Sequence, residues 1–440
     1  MIKLLQRLFG ERPAIPLLPE PEVERAYRHW RRRMLYASII GYGLFYFVRK
    51  NISIALPLLA ADLGYSNTQL GVLGSLLYVS YGTSKALFGL VSDRIDPRRF
   101  MAFGLFVSAL LNIFFSFSHS LFFFSLFWLL NGVFQATGAP PSAKICVRWF
   151  SISERGTKWA LWNISHQAGG GLILVIAGWL GMAFGWRAVF WGPAVIALFG
   201  VLFILDRVRD RPEALGLPPI DVYRDDPELI SPEDSERSQW QLIVARVLLN
   251  PRLLLLALSS LCIYVVRYGT LDWAAKYLVE AKGQSLGVAG QLASLIEFAG
   301  IPGMLLAGWL TDRFFNSRRA PVVIISLFAV ALSMAGFYLV PPGHPWLDAL
   351  ALSAVGFFTY GPQMLVAGVA AADACGTQVA AAAVGITGLF SYIGAIVSSA
   401  GTGVAVDRWG WGGGFGLWIV ASLVGAVLLL PLWKMRGRRG

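Results

Sequence analysis

Four cations lie inside long apolar runs of this sequence: Arg49, Lys50, Lys85 and Arg267. Tyr42, Tyr46 and Arg49 are spaced four and three apart and so share one helical face, as do Tyr78, Tyr81 and Lys85. Tyr264 precedes Arg267 by one turn, and Asn163, His166 and Gly170 stack on a further face. A planar guanidinium can hold a phosphate or carboxylate through two parallel hydrogen bonds, which a lysine ammonium cannot do. A charge at the centre of a bilayer costs roughly 2.5–3.5 kcal/mol on insertion scales. Four of them therefore need a compensating role, and the plain alternatives are snorkelling to an interface or pairing with internal acids. Arg49 and Arg267 lie roughly 15 and 18 residues into their runs, about 20–27 Å of helix, which is too deep to snorkel. Lys85, a turn or two from Asp93, has that route open. For pairing, the apolar runs offer chiefly Asp272 and Glu297, two anions against four cations before His166 is counted. A phosphate monoester carries about −1.5 to −2 at neutral pH, so the shortfall is close to one such dianion.

The elements that must carry these residues follow from composition. The chain has 440 residues, 56% hydrophobic and only 14% charged, whereas soluble domains run about 25% charged. A soluble protein is excluded, and 29 Phe, 16 Trp and 14 Tyr exclude disorder. The net charge of +12 would suit nucleic acid only if the cations formed a solvated stripe, and apolar runs separate most of them, so no nucleic-acid partner is expected. Cys146, Cys262 and Cys375 lie far apart without a CxxC pair and read as small packing residues rather than a disulfide or zinc framework. Pro19-Glu20-Pro21-Glu22 stands where a secretory signal would place its apolar core, so no cleaved signal is expected.

Twelve runs are long enough to cross a hydrocarbon core of about 20 residues: 34–60, 66–91, 98–118, 121–148, 157–182, 187–206, 249–279, 286–311, 320–340, 347–372, 379–405 and 413–433. The reading is an all-α membrane protein: an N-terminal arm over 1–33, a six-helix bundle over 34–206, a central loop over 207–246, a second bundle over 247–433 and a tail over 434–440. Of the 37 Lys and Arg, 29 fall on one side of such a topology, in the arm, the central loop, the tail and the loops after the second, fourth and eighth runs. Arg187, Lys276, Lys282 and Arg408 fall on the other. Short basic loops stay in the cytoplasm, so both termini are expected there, in a bacterial inner membrane.

The two halves repeat one another. Gly89-Leu90-Val91-Ser92-Asp93-Arg94 closes the second run and Gly308-Trp309-Leu310-Thr311-Asp312-Arg313 the eighth, with the Asp-Arg pairs 219 residues apart. Arg267 follows Arg49 by 218 residues, so the two arginines are equivalent residues of the first helix of each half. In the commonest arrangement of such repeats those first helices face one another across a central cavity, where two guanidiniums would converge near mid-membrane.

Twelve spans, a central loop and the doubled Gly-x-x-x-Asp-Arg loop resemble the major facilitator superfamily over nearly the whole chain. Gly41–Asn51, Tyr81–Lys85, Trp162–His166 with Gly169-Gly170-Gly171, and Tyr264–Trp273 are similar to the organophosphate:phosphate antiporters, and Tyr27–Arg32, Arg209–Pro218 and Phe358–Leu365 to their hexose-phosphate sensor and transporter branch. The resemblance implies two pseudo-symmetric bundles that rock about a phosphate site, with the loop motifs at Gly89, Asp93, Arg94, Gly308, Asp312 and Arg313 acting in the conformational change. It gives Arg49 and Arg267 the phosphoryl group, and His166 the place of a substrate-contacting histidine. A packing role for His166 is the alternative. Lys85, Tyr42, Tyr46, Tyr81, Asn163 and Tyr264 are candidates for the same site, and Tyr360 and Tyr392 for the sugar side. Lys50 is expected in a breakable salt bridge with Asp272 or Glu297 rather than on the substrate. The three glycines after His166 fit close helix contacts better than a phosphate cradle. One departure is that Tyr392–Ser398 carries no charge where hexose-phosphate transporters have an Asp and a Lys.

No phosphate-binding loop, His-Glu-x-x-His or Gly-x-Ser-x-Gly occurs, so neither an enzyme nor a cofactor is expected. The leading expectation is exchange of an organophosphate, a hexose phosphate or glycerol 3-phosphate, for inorganic phosphate. The rival is a receptor for external glucose 6-phosphate that signals to a histidine kinase partner. A cation or drug exporter is disfavoured by the positive cavity, and a monomer is the default for the superfamily.

Overall fold

The computed structural model describes residues 8–11, 13–92, 95–226, 244–375 and 379–435, and among them the regular structure is helical. The long helices are α1 (Glu20–Phe47), α2 (Ile52–Leu63), α3 (Asn67–Ser92), α4 (Pro97–Phe117), α5 (Leu121–Gln135), α6 (Ala139–Trp149), α7 (Ile152–Phe184) and α8 (Ala188–Arg207). After the central loop come α9 (Pro251–Glu280), α10 (Leu286–Arg313), α11 (Arg319–Leu339), α12 (Pro345–Met364) and α13 (Ala380–Leu429). Among the described residues ten stretches are long and apolar enough to cross a membrane, α1 with α2 and α5 with α6 each counting as one. α3, 26 residues with Lys85 as its one charge, has the length for another. α13 is broken at Gly410 (φ 65°, ψ −169°), a conformation open to glycine, and so supplies two spans. The described residues thus hold twelve spans. Their ends are capped by the residues that sequence would choose: Asp96 accepts from the Arg98 amide, and Asn250 from those of Arg252 and Leu253.

The helices outrun the apolar stretches. α1 starts at Glu20, well before the run at 34, and part of the central loop is ordered as short turns over Pro212–Leu215 and Ile220–Arg224. Both have a physical reason in packing: Tyr27 stacks on Tyr223 with ring centroids 4.0 Å apart. Further upstream, Phe9 packs on Phe100 and its carbonyl accepts from the Asp96 amide at 2.6 Å. Glu11 binds Lys144 at 2.6 Å, Arg148 at 2.8 Å and Arg211 at 3.4 Å. Asp226 accepts from the Ile152 amide and the Ser151 hydroxyl, satisfying the first turn of α7.

The chain divides into two compact units, Met1–Asn51 with Ser80–Ile173 and Phe190–Glu233, and Ile52–Val79 with Leu174–Val189 and Asp234–Gly440. Small residues let helices touch within each. In the first, a Cβ on Gly169 would stand 2.4 Å from the Gly43 carbonyl oxygen. In the second, one on Gly356 would stand 2.1 Å from that of Ile296.

The break between α1 and α2 positions the first arginine. Helix ends leave carbonyls without intrahelical donors, and here two amides from other helices serve the Val48 oxygen, Asn112 Nδ2 at 3.0 Å and Asn131 Nδ2 at 2.8 Å. Asn112 also donates to the Ser108 carbonyl and accepts from Asn51 Nδ2 at 2.9 Å. All three asparagines are buried, so these bonds are not exchangeable for water. Asn112→Leu removes all three of its bonds and should cost roughly 2–3 kcal/mol, while Asn131→Leu leaves Val48 served and should cost about 1. Melting curves of the purified variants test the order, and a reversed order would mean that the break is held by something else.

Asp210 lies within the first unit, with its side chain fully buried and neither oxygen hydrogen-bonded among the described residues. Arg148 at 3.5 Å and Lys144 at 4.0 Å are too distant to offset burial. Burial, with help from the Asp96 and Glu11 charges, pushes its carboxyl up to about 6. A raised carboxyl means that the folded chain binds the extra proton, so this group favours folding as pH falls through 6 and opposes it above. Asp210→Asn should therefore melt higher than the wild type near neutral pH, with the gap narrowing as pH falls from about 6 and closed near pH 4. A variant that melts lower near neutral pH would show the charge to be net stabilising.

Candidate functional site

In the first unit, Arg49 lies in the break after α1, only 4% exposed. Its amide bonds to the Tyr46 carbonyl at 3.3 Å, which continues the last turn of α1 as a tightened end rather than as regular helix. Its guanidinium carbon stands 4.2 Å from the centre of the Tyr81 ring and 5.3 Å from that of Tyr46. The aromatic series extends outward: Tyr46 meets Tyr42 edge to face at 5.7 Å and His166 at 6.0 Å, and Tyr42 stacks on Trp162 at 4.7 Å. His166 is half-buried, and Asn163 beside it donates to the Trp159 carbonyl at 3.1 Å. The one-face spacing read from the sequence thus brings Tyr42, Tyr46 and Arg49 together, with Tyr81 and His166 beside them. Lys85 stands exposed on α3, its ammonium 6.0 Å from the Tyr81 ring.

In the second unit, Arg267 is likewise 4% exposed. Three rings surround it, those of Tyr360 at 4.7 Å, Tyr268 at 5.0 Å and Tyr264 at 5.9 Å. Its Nη2 donates to the Tyr360 hydroxyl at 3.2 Å, and that hydroxyl donates to Glu297. The guanidinium is thereby tied to a carboxylate at one remove, through a neutral group. Its Nε has no hydrogen-bond acceptor among the described residues although it is buried. A buried donor of a charged group left without an acceptor is costly, and an incoming anionic oxygen would satisfy it. Tyr392 meets Tyr264 edge to face at 6.2 Å and is half-buried, so it belongs to the rim of the same cluster.

The two carboxylates expected as counter-charges are both buried and both held by hydroxyls. Glu297 accepts from Tyr360, while Asp272 accepts from Tyr78 at 2.5 Å and from Ser53 at 3.5 Å. Lys50 is 2% exposed. Two further lysines, Lys276 at the end of the seventh run and Lys282 just beyond it, are buried as well. Lys276 pairs with Glu280 one turn on, and Lys282 lies 3.5 Å from the buried Asp348. Each can do so because it sits near a helix end, where a long side chain reaches a neighbouring acid or a free carbonyl.

Of the repeated loop motifs, the second is fully visible. Gly308 and Arg313 lie on the last turns of α10, and Asp312 accepts from Arg319 at 2.6 Å, an arginine that also reaches Asp373 at 3.7 Å. In the first copy Gly89 is on α3, while Asp93 and Arg94 lie outside the described residues. Sequence reading missed Asn112 and Asn131, which hold the Arg49 break, and Tyr268, which completes the Arg267 cage. The available signal was polar residues in otherwise apolar runs, and tyrosine immediately after a buried arginine.

The family model described as Major Facilitator Superfamily matches residues 38–399. A protein from Chlamydia pneumoniae named "Probable hexose phosphate transport protein" is 39% identical over 94% of this chain and 93% of its own length. The "Glycerol-3-phosphate transporter" of Bacillus subtilis (strain 168) is 40% identical over 98% of each chain. "Membrane sensor protein UhpC" of Escherichia coli (strain K12) is 38% identical over 94% of this chain and 95% of its own. Among solved structures, a point mutant of the nucleoside transporter NupG superposes with a TM-score of 0.70 over 92% of this chain and 99% of that one, at 15% identity, which speaks for the fold alone. With twelve spans, a repeated loop motif and relatives that align along nearly its whole length, this chain belongs to the major facilitator superfamily.

Proposed function

We propose that this protein is a secondary transporter that exchanges an organophosphate for inorganic phosphate. The organophosphate is a hexose phosphate such as glucose 6-phosphate, or glycerol 3-phosphate. The observation that carries the reading is the buried Arg267, caged by tyrosine rings and with a donor that awaits an acceptor. Relatives named for hexose phosphate and for glycerol-3-phosphate, aligned over nearly the full chain, support the substrate class. Arg49 is its counterpart by register in the internal repeat, and the two guanidiniums hold the phosphoryl group, with Lys85, Tyr42, Tyr46, Tyr81, Asn163, His166 and Tyr264 as further contacts. Tyr360 and Tyr392 serve the organic part.

The moving parts are the repeat halves, 34–206 and 247–433, in the inner membrane of a bacterium with both termini in the cytoplasm. Lys50, Asp272 and Glu297 make and break ion pairs as the halves rock. Binding of a dianion offsets the charge of the buried cations, so the loaded protein reorients readily and the empty one resists. Exchange follows without a separate energy source. The working unit is the monomer.

A second reading is favoured by the 38% identity to a membrane sensor, and the uncharged stretch Tyr392–Ser398 fits it as well as a glycerol-3-phosphate carrier. In it the same site receives external glucose 6-phosphate and reports to a histidine kinase without net transport.

Counterflow of labelled phosphate into proteoliposomes loaded with phosphate, glucose 6-phosphate or glycerol 3-phosphate separates the two. Exchange with at least one of these is expected, and binding without any exchange would favour the sensor. Arg49→Lys and Arg267→Lys should each lower exchange to about a hundredth or less, because a point charge replaces a two-pronged donor. Near-normal exchange in either variant would refute the paired-arginine clamp.

A further inference from the structure

The first half of α1 carries a second cationic feature that the transport site does not use. Arg25, Arg28, His29, Arg32, Arg33 and Tyr36 line an open cleft of about 300 Å³. Their spacing of three, four, seven, eight and eleven from Arg25 puts all six on one face of an unbroken helix. The opposite face, with Tyr27, Met34, Ala37 and Gly41, is buried in the first unit. Followed along the helix, the cationic stripe turns apolar without changing face: Tyr36 is 39% and Ile40 47% exposed. The neighbouring α8 continues the same surface with Phe199 and Leu202, both more than 60% exposed. The two helices are tied there, Arg33 Nη2 donating to the Asp206 carbonyl at 2.8 Å and Arg207 Nη1 to the Tyr36 hydroxyl at 3.3 Å.

Exposed large apolar residues on a spanning helix face hydrocarbon, so the point where that stripe becomes cationic lies at headgroup depth. The charge there is one-sided. Glu24 pairs with Arg28, and Asp206 is shared between Arg33 and Arg207, whereas Arg25 and Arg32 form no ion pair among the described residues. Five arginines thus face two carboxylates. Arg33 and Arg209 lie 4.9 Å and 5.1 Å from the ring of Trp30, which packs on the core of the first unit. Clusters of arginine beside a span attract anionic headgroups.

We propose that this cleft is a binding site for an anionic phospholipid of the surrounding bilayer, with its phosphate on the Arg25, Arg28 and Arg32 edge and its acyl chains along Tyr36, Ile40 and α8. A free phosphate shares the headgroup chemistry but gains nothing from the apolar continuation of the stripe, and that difference makes the two sources separable.

The test is retention of phosphatidylglycerol against phosphatidylcholine by the full-length protein in native mass spectrometry. Wild-type protein should prefer phosphatidylglycerol at least about tenfold, with the preference falling as salt rises, and each arginine removed should cost about fivefold. Arg25→Gln with Arg32→Gln should bring the two lipids near parity while the melting temperature in phosphatidylcholine is unchanged. Should the double variant fail to fold, Arg25→Gln alone must show the single-residue loss. Equal retention of the two lipids by the wild type, or a wild-type preference in the variants, would overturn the site. Release of phosphatidylglycerol by millimolar inorganic phosphate would also overturn it, and would reassign the cleft to a free anion.

Discussion

Everything else in this protein accommodates one constraint, the burial of guanidinium charge in an apolar medium. A lone cation there is costly, and an ion pair in the same place would silence its chemistry. The second unit takes a middle course. Arg267 is wrapped by three tyrosine rings whose faces carry partial negative charge, and its link to Glu297 passes through the neutral Tyr360 hydroxyl. The cation is stabilised without being neutralised. Arg49 shows the same use of ring faces with Tyr81 and Tyr46.

Holding such a cation in place asks more of the backbone than a straight helix provides. The break between Phe47 and Ile52 lets the chain turn at Arg49, but it frees a buried carbonyl at Val48. Asn112 and Asn131 answer that need from two other helices, so uncharged residues far away in sequence fix the backbone from which the charge projects. Close approach of α1 and α7 at Gly43 and Gly169 serves the same end, because it brings the Trp162–His166 segment against the tyrosines of α1.

At the polar ends of the helices the electrostatics change character. Away from the arginine cleft of α1, the charges there pair and tie chain segments to one another. Glu11 with Lys144, Arg148 and Arg211 fastens the N-terminal arm, and Asp226 fastens the start of the central loop to α7. Asp210 is the exception, a carboxyl buried beyond the good reach of its cations.

Hydropathy period was enough to read twelve spans and a pair of buried arginines directly from the chain. They are properties of a segment and its solvent, and each is written locally. The one-face spacing of Tyr42, Tyr46 and Arg49 was legible for the same reason, since a helix converts spacing into direction. Tertiary structure alone decided which hydroxyl stands between Arg267 and Glu297, which amides complete Val48, and which acids Lys276 and Lys282 reach. Those outcomes depend on distances between helices far apart in sequence, and packing, not periodicity, sets such distances.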